Sequence, residues 1–93
     1  MLSSLPIDLK NVKKGELNKE ILRLGIIAEL DAISLYEQLA AATDDPGIKK
    51  VLADIAKEEK THVGEFQALL LKLDGEQVKE LKKGREEVDE LTA

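Results

Sequence analysis

Ala56-Lys57-Glu58-Glu59-Lys60-Thr61-His62-Val63, residues 56–63, decides how the chain is read. Glu59 and His62 are three positions apart, so on a helix they share one face, with Cβ atoms about 5–6 Å apart. The other helical neighbours of Glu59 at one and two turns are Leu52, Ile55, Ala56, Val63 and Phe66. An isolated, ionised carboxylate in such a stripe is strongly unfavourable unless it is neutralised, paired or metal-bound. His62, the only histidine of the chain, stands beside it.

A Glu-x-x-His pair alone is common on acid-rich helices. The preceding helical stretch repeats the anomaly at Glu29, whose helical neighbours are Leu22, Gly25, Ile26, Ala32, Ile33 and Tyr36. Two glutamates on the apolar faces of consecutive helices, one of them next to an imidazole, read as metal ligands. Tyr36 lies two turns from Glu29 on the same stripe and reads as a core aromatic whose hydroxyl can reach a ligand carboxylate. Glu58 and Glu65 flank the motif on the side of His62, as solvated neighbours or as a path for incoming cations. Asp31 and Glu37 fall on the polar strip of the first helix and read as surface.

Working outward, residues 1–14 contain Pro6 and little periodicity, and read as an arm. Gly15, Glu16 and Asn18 open a helix expected to run to about Ala42, with Leu17, Ile21, Leu24, Ala28, Ala32, Leu35 and Leu39 at the helical period. Ile26, Ile27, Leu30 and Ile33 widen that stripe beyond what one partner helix can cover. Thr43-Asp44-Asp45-Pro46-Gly47 is the turn, with Asp45 as N-cap and Pro46 at the first helical position. The second helix is expected to reach Leu73, its core stripe being Ile48, Leu52, Ile55, Ala56, Glu59, His62, Val63, Phe66 and Leu70, and Asp74-Gly75 to end it. Glu76 to Lys83 reads as a short third helix broken at Gly84, which Arg85 to Leu91 can extend. The organisation is therefore an arm (1–14), a helical hairpin (15–74) and a short C-terminal helix or tail (75–93). The fold class is all-α, a two-helix antiparallel hairpin plus a short C-terminal helix, with hairpins dimerising into an intermolecular four-helix bundle, because one hairpin cannot bury its own faces.

Composition narrows the chemistry. With no cysteine among 93 residues, disulfides, iron–sulfur clusters and thiolate zinc sites cannot form. A net charge of −5, from 14 basic and 19 acidic side chains, disfavours nucleic acid and anionic membrane surfaces and suits cations. One Phe, one Tyr and no Trp leave little for base stacking. No apolar run reaches transmembrane length and the start lacks a signal-peptide pattern, so an intracellular protein is expected. Pairing two hairpins about a two-fold axis brings together four carboxylates and two imidazoles. That is the ligand set of di-iron and di-manganese carboxylate bundles, in which four negative charges balance two divalent cations.

The segment 26–39, Ile26-Ile27-Ala28-Glu29-Leu30-Asp31-Ala32-Ile33-Ser34-Leu35-Tyr36-Glu37-Gln38-Leu39, followed by Glu58-Glu59-Lys60-Thr61-His62-Val63-Gly64-Glu65-Phe66, resembles the encapsulated ferritins. These are two-helix relatives of ferritin and rubrerythrin found inside encapsulin nanocompartments, and the resemblance covers residues 17–75. It implies half-ferritin subunits that dimerise around a di-iron ferroxidase centre, with dimers joined into a ring, typically a decamer. It also implies Glu29 as bridging carboxylate, Glu59 and His62 as terminal or chelating ligands, Tyr36 as their neighbour, and a cytoplasmic location within an encapsulin compartment. Glu86-Glu87-Val88-Asp89-Glu90-Leu91-Thr92-Ala93 departs from the Gly/Ser/Leu-rich tail that docks many members to the shell. It is more similar to the junction in archaeal members fused to the start of the shell protein. The expected activity is oxidation of Fe(II) to Fe(III) at an inter-subunit site, for iron mineralisation. A rubrerythrin-like peroxidase, a manganese protein and a purely structural oligomerisation module are the alternatives.

Overall fold

The structure, a computed structural model, describes Ser4 and residues 8–93; the expected arm at 1–3 and 5–7, Pro6 included, lies outside the described residues. Among the described residues three α-helices follow one another: α1 Leu17–Ala42, α2 Pro46–Leu73 and α3 Gly75–Thr92. There is no strand among the described residues. Two single 3-10 turns, Leu9–Asn11 and Lys14–Glu16, lead into α1, the first tied by Asn11 Nδ2 donating to Asp8 Oδ2 at 2.8 Å. With 26 and 28 residues, α1 and α2 are about 39 and 42 Å long. They pack side by side along their length as an antiparallel hairpin.

The turn is closed as its residues dictate. Asp45 Oδ1 accepts from Ile48 N at 2.9 Å, satisfying an amide that the first helical turn leaves free, and Pro46 occupies a position that needs no N–H. On the other side of the turn, Lys49 Nζ donates to Ala40 O at 2.6 Å, placing a cation on the carbonyl end of α1.

Little of this hairpin is enclosed. Among the described residues the buried apolar side chains are Ala40, Ala56 and Leu70, and no side chain is wholly shut off from solvent. Ile48, expected in the core stripe of α2, is 53% exposed, since two helices cannot cover a stripe this wide. The radius of gyration is 16.6 Å, against about 12 Å for a compact chain of this length.

Gly84 does not break α3, which runs without interruption to Thr92. An interior glycine costs a helix only about 1 kcal/mol relative to alanine, and the Glu, Lys, Leu and Arg residues around it are strong helix formers. Asp74 both ends α2 and starts α3. Its Oδ1 accepts from Gln77 N at 3.0 Å, and its Oδ2 lies 3.1 Å from Arg23 Nη2. The same guanidinium binds Glu20 Oε1 at 2.9 Å, so an ion-pair chain ties the α2–α3 joint to α1.

Candidate metal centre

The antiparallel register brings residue 29 of α1 opposite residue 62 of α2, and the three expected ligands converge. Glu29, Glu59 and His62 each offer one donor atom, all within 4.8 Å of one another. His62 Nδ1 lies 3.5 Å from Glu29 Oε2 and 3.4 Å from Glu59 Oε2. Both carboxylates are mostly shielded, with side chains 19% exposed, whereas the imidazole is 46% exposed. The cluster thus sits on the rim of the hairpin, with its carboxylates turned inward and its histidine toward the open face.

One level further along the hairpin, toward the start of α1, Gly25 faces Phe66. A Cβ at position 25 would stand 3.2–3.4 Å from three ring carbons of Phe66. The missing side chain therefore lets α1 and α2 approach closely, one turn from the level at which Glu29 must reach His62.

The oxygen Glu29 Oε2 is buried and has no hydrogen-bond partner. A buried carboxylate oxygen without a hydrogen bond costs about 1–3 kcal/mol or more, which a cation bound there would offset. Two carboxylates and one imidazole form a mixed O/N donor set, which suits iron or manganese and excludes sites that demand sulfur. The residues present fit such an ion.

Tyr36 is half-buried, and Glu58 and Glu65 are exposed. Among the described residues none of the three hydrogen-bonds the cluster. Glu37, read as surface, pairs with Lys60 Nζ at 2.8 Å, with both side chains more than half exposed. What sequence reasoning missed is the Arg23–Asp74 tie. The Asp74 cap on α3 has a local signal, since Asp74-Gly75-Glu76-Gln77 has the spacing of an N-capping box beside the stop that Asp74-Gly75 also spells; the tie to Arg23 has none.

Residues 20–92 match the rubrerythrin family. The chain belongs to the rubrerythrin family of ferritin-like proteins, and within it to the encapsulated ferritin domains. The crystal structure of the encapsulated ferritin domain from Pyrococcus furiosus matches with a TM-score of 0.85 and 58% identity, over 99% of this chain and 96% of that one. A ferritin-like–encapsulin shell fusion protein of Pyrococcus furiosus is 68% identical over 73 residues, 78% of this chain and 21% of that protein. The encapsulin nanocompartment cargo protein EncC of Myxococcus xanthus is 39% identical over 72 residues, 77% of this chain and 55% of that protein. The chain thus spans about a fifth of one curated relative and just over half of the other. No helix among the described residues is long and apolar enough to cross a membrane.

Proposed function

We propose that this chain supplies half of a ferroxidase centre, and that two hairpins pair face to face to complete it. Glu29, Glu59 and His62 from each copy would then hold two Fe(II) ions as substrate. In the reaction two Fe(II) each lose one electron, and O₂ takes up both electrons and two protons to leave as hydrogen peroxide. Glu29 and Glu59 supply the negative charge that draws and retains the ions. His62 supplies a neutral nitrogen donor on the open side. Exposed Glu58 and Glu65, four before and three after His62, line the approach on α2. Tyr36, half-buried two turns along α1 from Glu29, would stand as a neighbour of the ligands. The ferric product is destined for mineral within an encapsulin compartment in the cytoplasm, a reading supported by relatives that are encapsulin cargo or shell fusions.

The observation that carries this reading is the buried, unpartnered Glu29 Oε2 within 4.8 Å of the other two donors. The match to rubrerythrins keeps a di-metal peroxidase as the second reading, with the same ligands and peroxide as oxidant. The test is metal analysis after loading with Fe(II), or with Mn(II), of the wild type and of Glu29→Ala and His62→Ala. Ferroxidase predicts one iron per chain in the wild type, loss in both variants, and faster oxidation with O₂ than with peroxide. Full metal occupancy in either variant would overturn the ligand assignment.

A further inference from the structure

The α2–α3 joint carries reactive chemistry of its own. Of the chain's aspartates only Asp74 is followed by glycine; the others precede Leu9, Ala32, Asp45, Pro46, Ile55 and Glu90. An Asp–Gly pair is the aspartyl dipeptide most open to attack by its own backbone. The nitrogen of the following residue adds to the side-chain carbonyl carbon, and a glycine puts no side chain in its path. At Gly75 the surroundings are clear as well, with no atom within 4 Å of where a Cβ would be. Gly75 opens α3, so no carbonyl of that helix engages its N–H.

The acceptor, by contrast, is held. Asp74 is the buried charged residue among the described residues, 9% exposed. Both of its side-chain oxygens are occupied: Oδ1 accepts from Gln77 N at 3.0 Å and Oδ2 from Arg23 Nη2 at 3.1 Å. Bonds at both oxygens stop the carboxylate from turning to meet the nitrogen of Gly75. The ion pair also uses the ionised carboxylate, whereas attack requires the neutral acid, whose OH leaves as water. The side chain of Arg23 is itself 41% exposed and shares its guanidinium with Glu20, so this hold can be withdrawn without unpacking the hairpin.

We propose that Asp74 is a site of spontaneous isomerisation which Arg23 keeps closed. When the tie opens, Gly75 N bonds to Asp74 Cγ, the amide proton and the carboxyl OH leave as water, and a cyclic succinimide joins the residues. Water then adds back at either carbonyl. Addition at the side-chain carbonyl restores aspartate. Addition at the main-chain carbonyl breaks the original Asp74–Gly75 peptide bond and leaves the chain running through the side chain, as isoaspartate. The water lost is regained, and no oxidant or reductant is consumed. The product has an extra backbone carbon at the joint and carries its free carboxylate on Cα, away from the position that caps Gln77 N. Since α3 makes few contacts with the hairpin, this joint decides where it lies, and isomerisation releases it. None of this chemistry involves the metal cluster.

The test is to incubate the full chain, folded and at neutral pH, and to count isoaspartate with protein isoaspartyl methyltransferase, locating it by electron-transfer fragmentation. The same chain unfolded in urea gives the unrestrained rate. Folded wild type should isomerise severalfold more slowly than that. Arg23→Ala should approach the unrestrained rate while its helicity is retained, and Arg23→Lys, which keeps a cation, should fall between. If Arg23→Ala loses helicity at the incubation temperature, Arg23→Gln takes its place. Gly75→Ala should slow the reaction sharply, and Lys60→Ala, which removes an exposed ion pair elsewhere, should match the wild type. Isolated isoaspartyl chains should be cut by protease at the α2–α3 joint sooner than the parent. A folded Arg23 variant no faster than the wild type, or a folded wild type as fast as the unfolded chain, would overturn the proposal, as would isoaspartyl chains no more readily cut than the parent.

Discussion

Gly25 on α1 meets the ring of Phe66 on α2 so closely that a Cβ at position 25 would lie 3.2 Å from Phe66 Cε2. Position 25 is one turn before Glu29 and position 66 one turn after His62, so this contact sets helix spacing beside the cluster. Gly25→Ala gains about 1 kcal/mol of helix propensity and needs only a few tenths of an ångström from the ring. Its stability should stay within about 1 kcal/mol of the wild type. Gly25→Leu has no such room, and overpacking of this kind costs typically 1–3 kcal/mol. Urea unfolding should rank wild type and Ala well above Leu, and iron retention should follow the same order. A Leu variant that keeps full iron at wild-type stability would show that the notch does not set the spacing.

Asp74 acts at both of its oxygens, and two substitutions separate them. Asp74→Ala removes the cap on α3 and the partner of Arg23, and the cap alone is worth about 1 kcal/mol, up to 2. Asp74→Asn keeps a capping oxygen and loses the charge. Thermal melts should therefore place Asn between Ala and the wild type, with limited proteolysis near Gly75 rising in the Ala variant. By contrast Lys60→Ala, which removes only the exposed pair with Glu37, should change stability by no more than about 0.5 kcal/mol. If Lys60→Ala costs as much as Asp74→Ala, exposure is not what decides the worth of these ion pairs.

Much of this architecture was legible because each signal was local. Asp45-Pro46 names its own cap, and the structure returns the bond from Ile48 N. Glu29 and Glu59 betray the cluster because acids on apolar stripes are out of place, and helix periodicity alone brings His62 alongside. Gly84 misled because the cost of a glycine is small beside the propensity of its neighbours; its context mattered more than its identity. The Arg23–Asp74 tie joins residues 51 apart in sequence, and no periodicity announces such a contact. The period of Ile48 fits the core stripe, yet period says which face a residue takes and not whether anything covers that face.

As a proposed ligand, Glu29 would set stability against function. In metal-free protein its buried Oε2 lacks a donor. Glu29→Gln keeps the shape, removes the charge and adds an amide that can donate to His62 Nδ1 or Glu59 Oε2. With a chelator present the variant should be more stable than the wild type, by about 1–3 kcal/mol. Added Fe(II) should raise the melting temperature and the hairpin-paired fraction of the wild type by binding linkage, and leave the variant unmoved. Differential scanning fluorimetry and native mass spectrometry, each with and without Fe(II), read both effects. A variant less stable than the wild type in chelator would mean that Glu29 is satisfied without metal.

Where the ferric product goes follows from what the helices have left to build with. A ferritin holds mineral because complete four-helix subunits close into a hollow shell. In the proposed pairing two chains are used to make one bundle, which leaves little surface with which to close a shell. The ring that the resemblance to the encapsulated ferritins implies has no sealed interior. The isolated protein should therefore oxidise iron quickly without keeping thousands of ferric ions soluble. On aerobic addition of Fe(II) in large excess over sites, absorbance should report oxidation at once, with light scattering climbing afterwards as ferric oxide leaves solution. Adding a shell that encloses the protein should suppress the scattering without slowing oxidation. A soluble, electron-dense core that co-elutes with the isolated protein through size exclusion would show that the chain stores iron unaided, and the need for an outer compartment would fall with it.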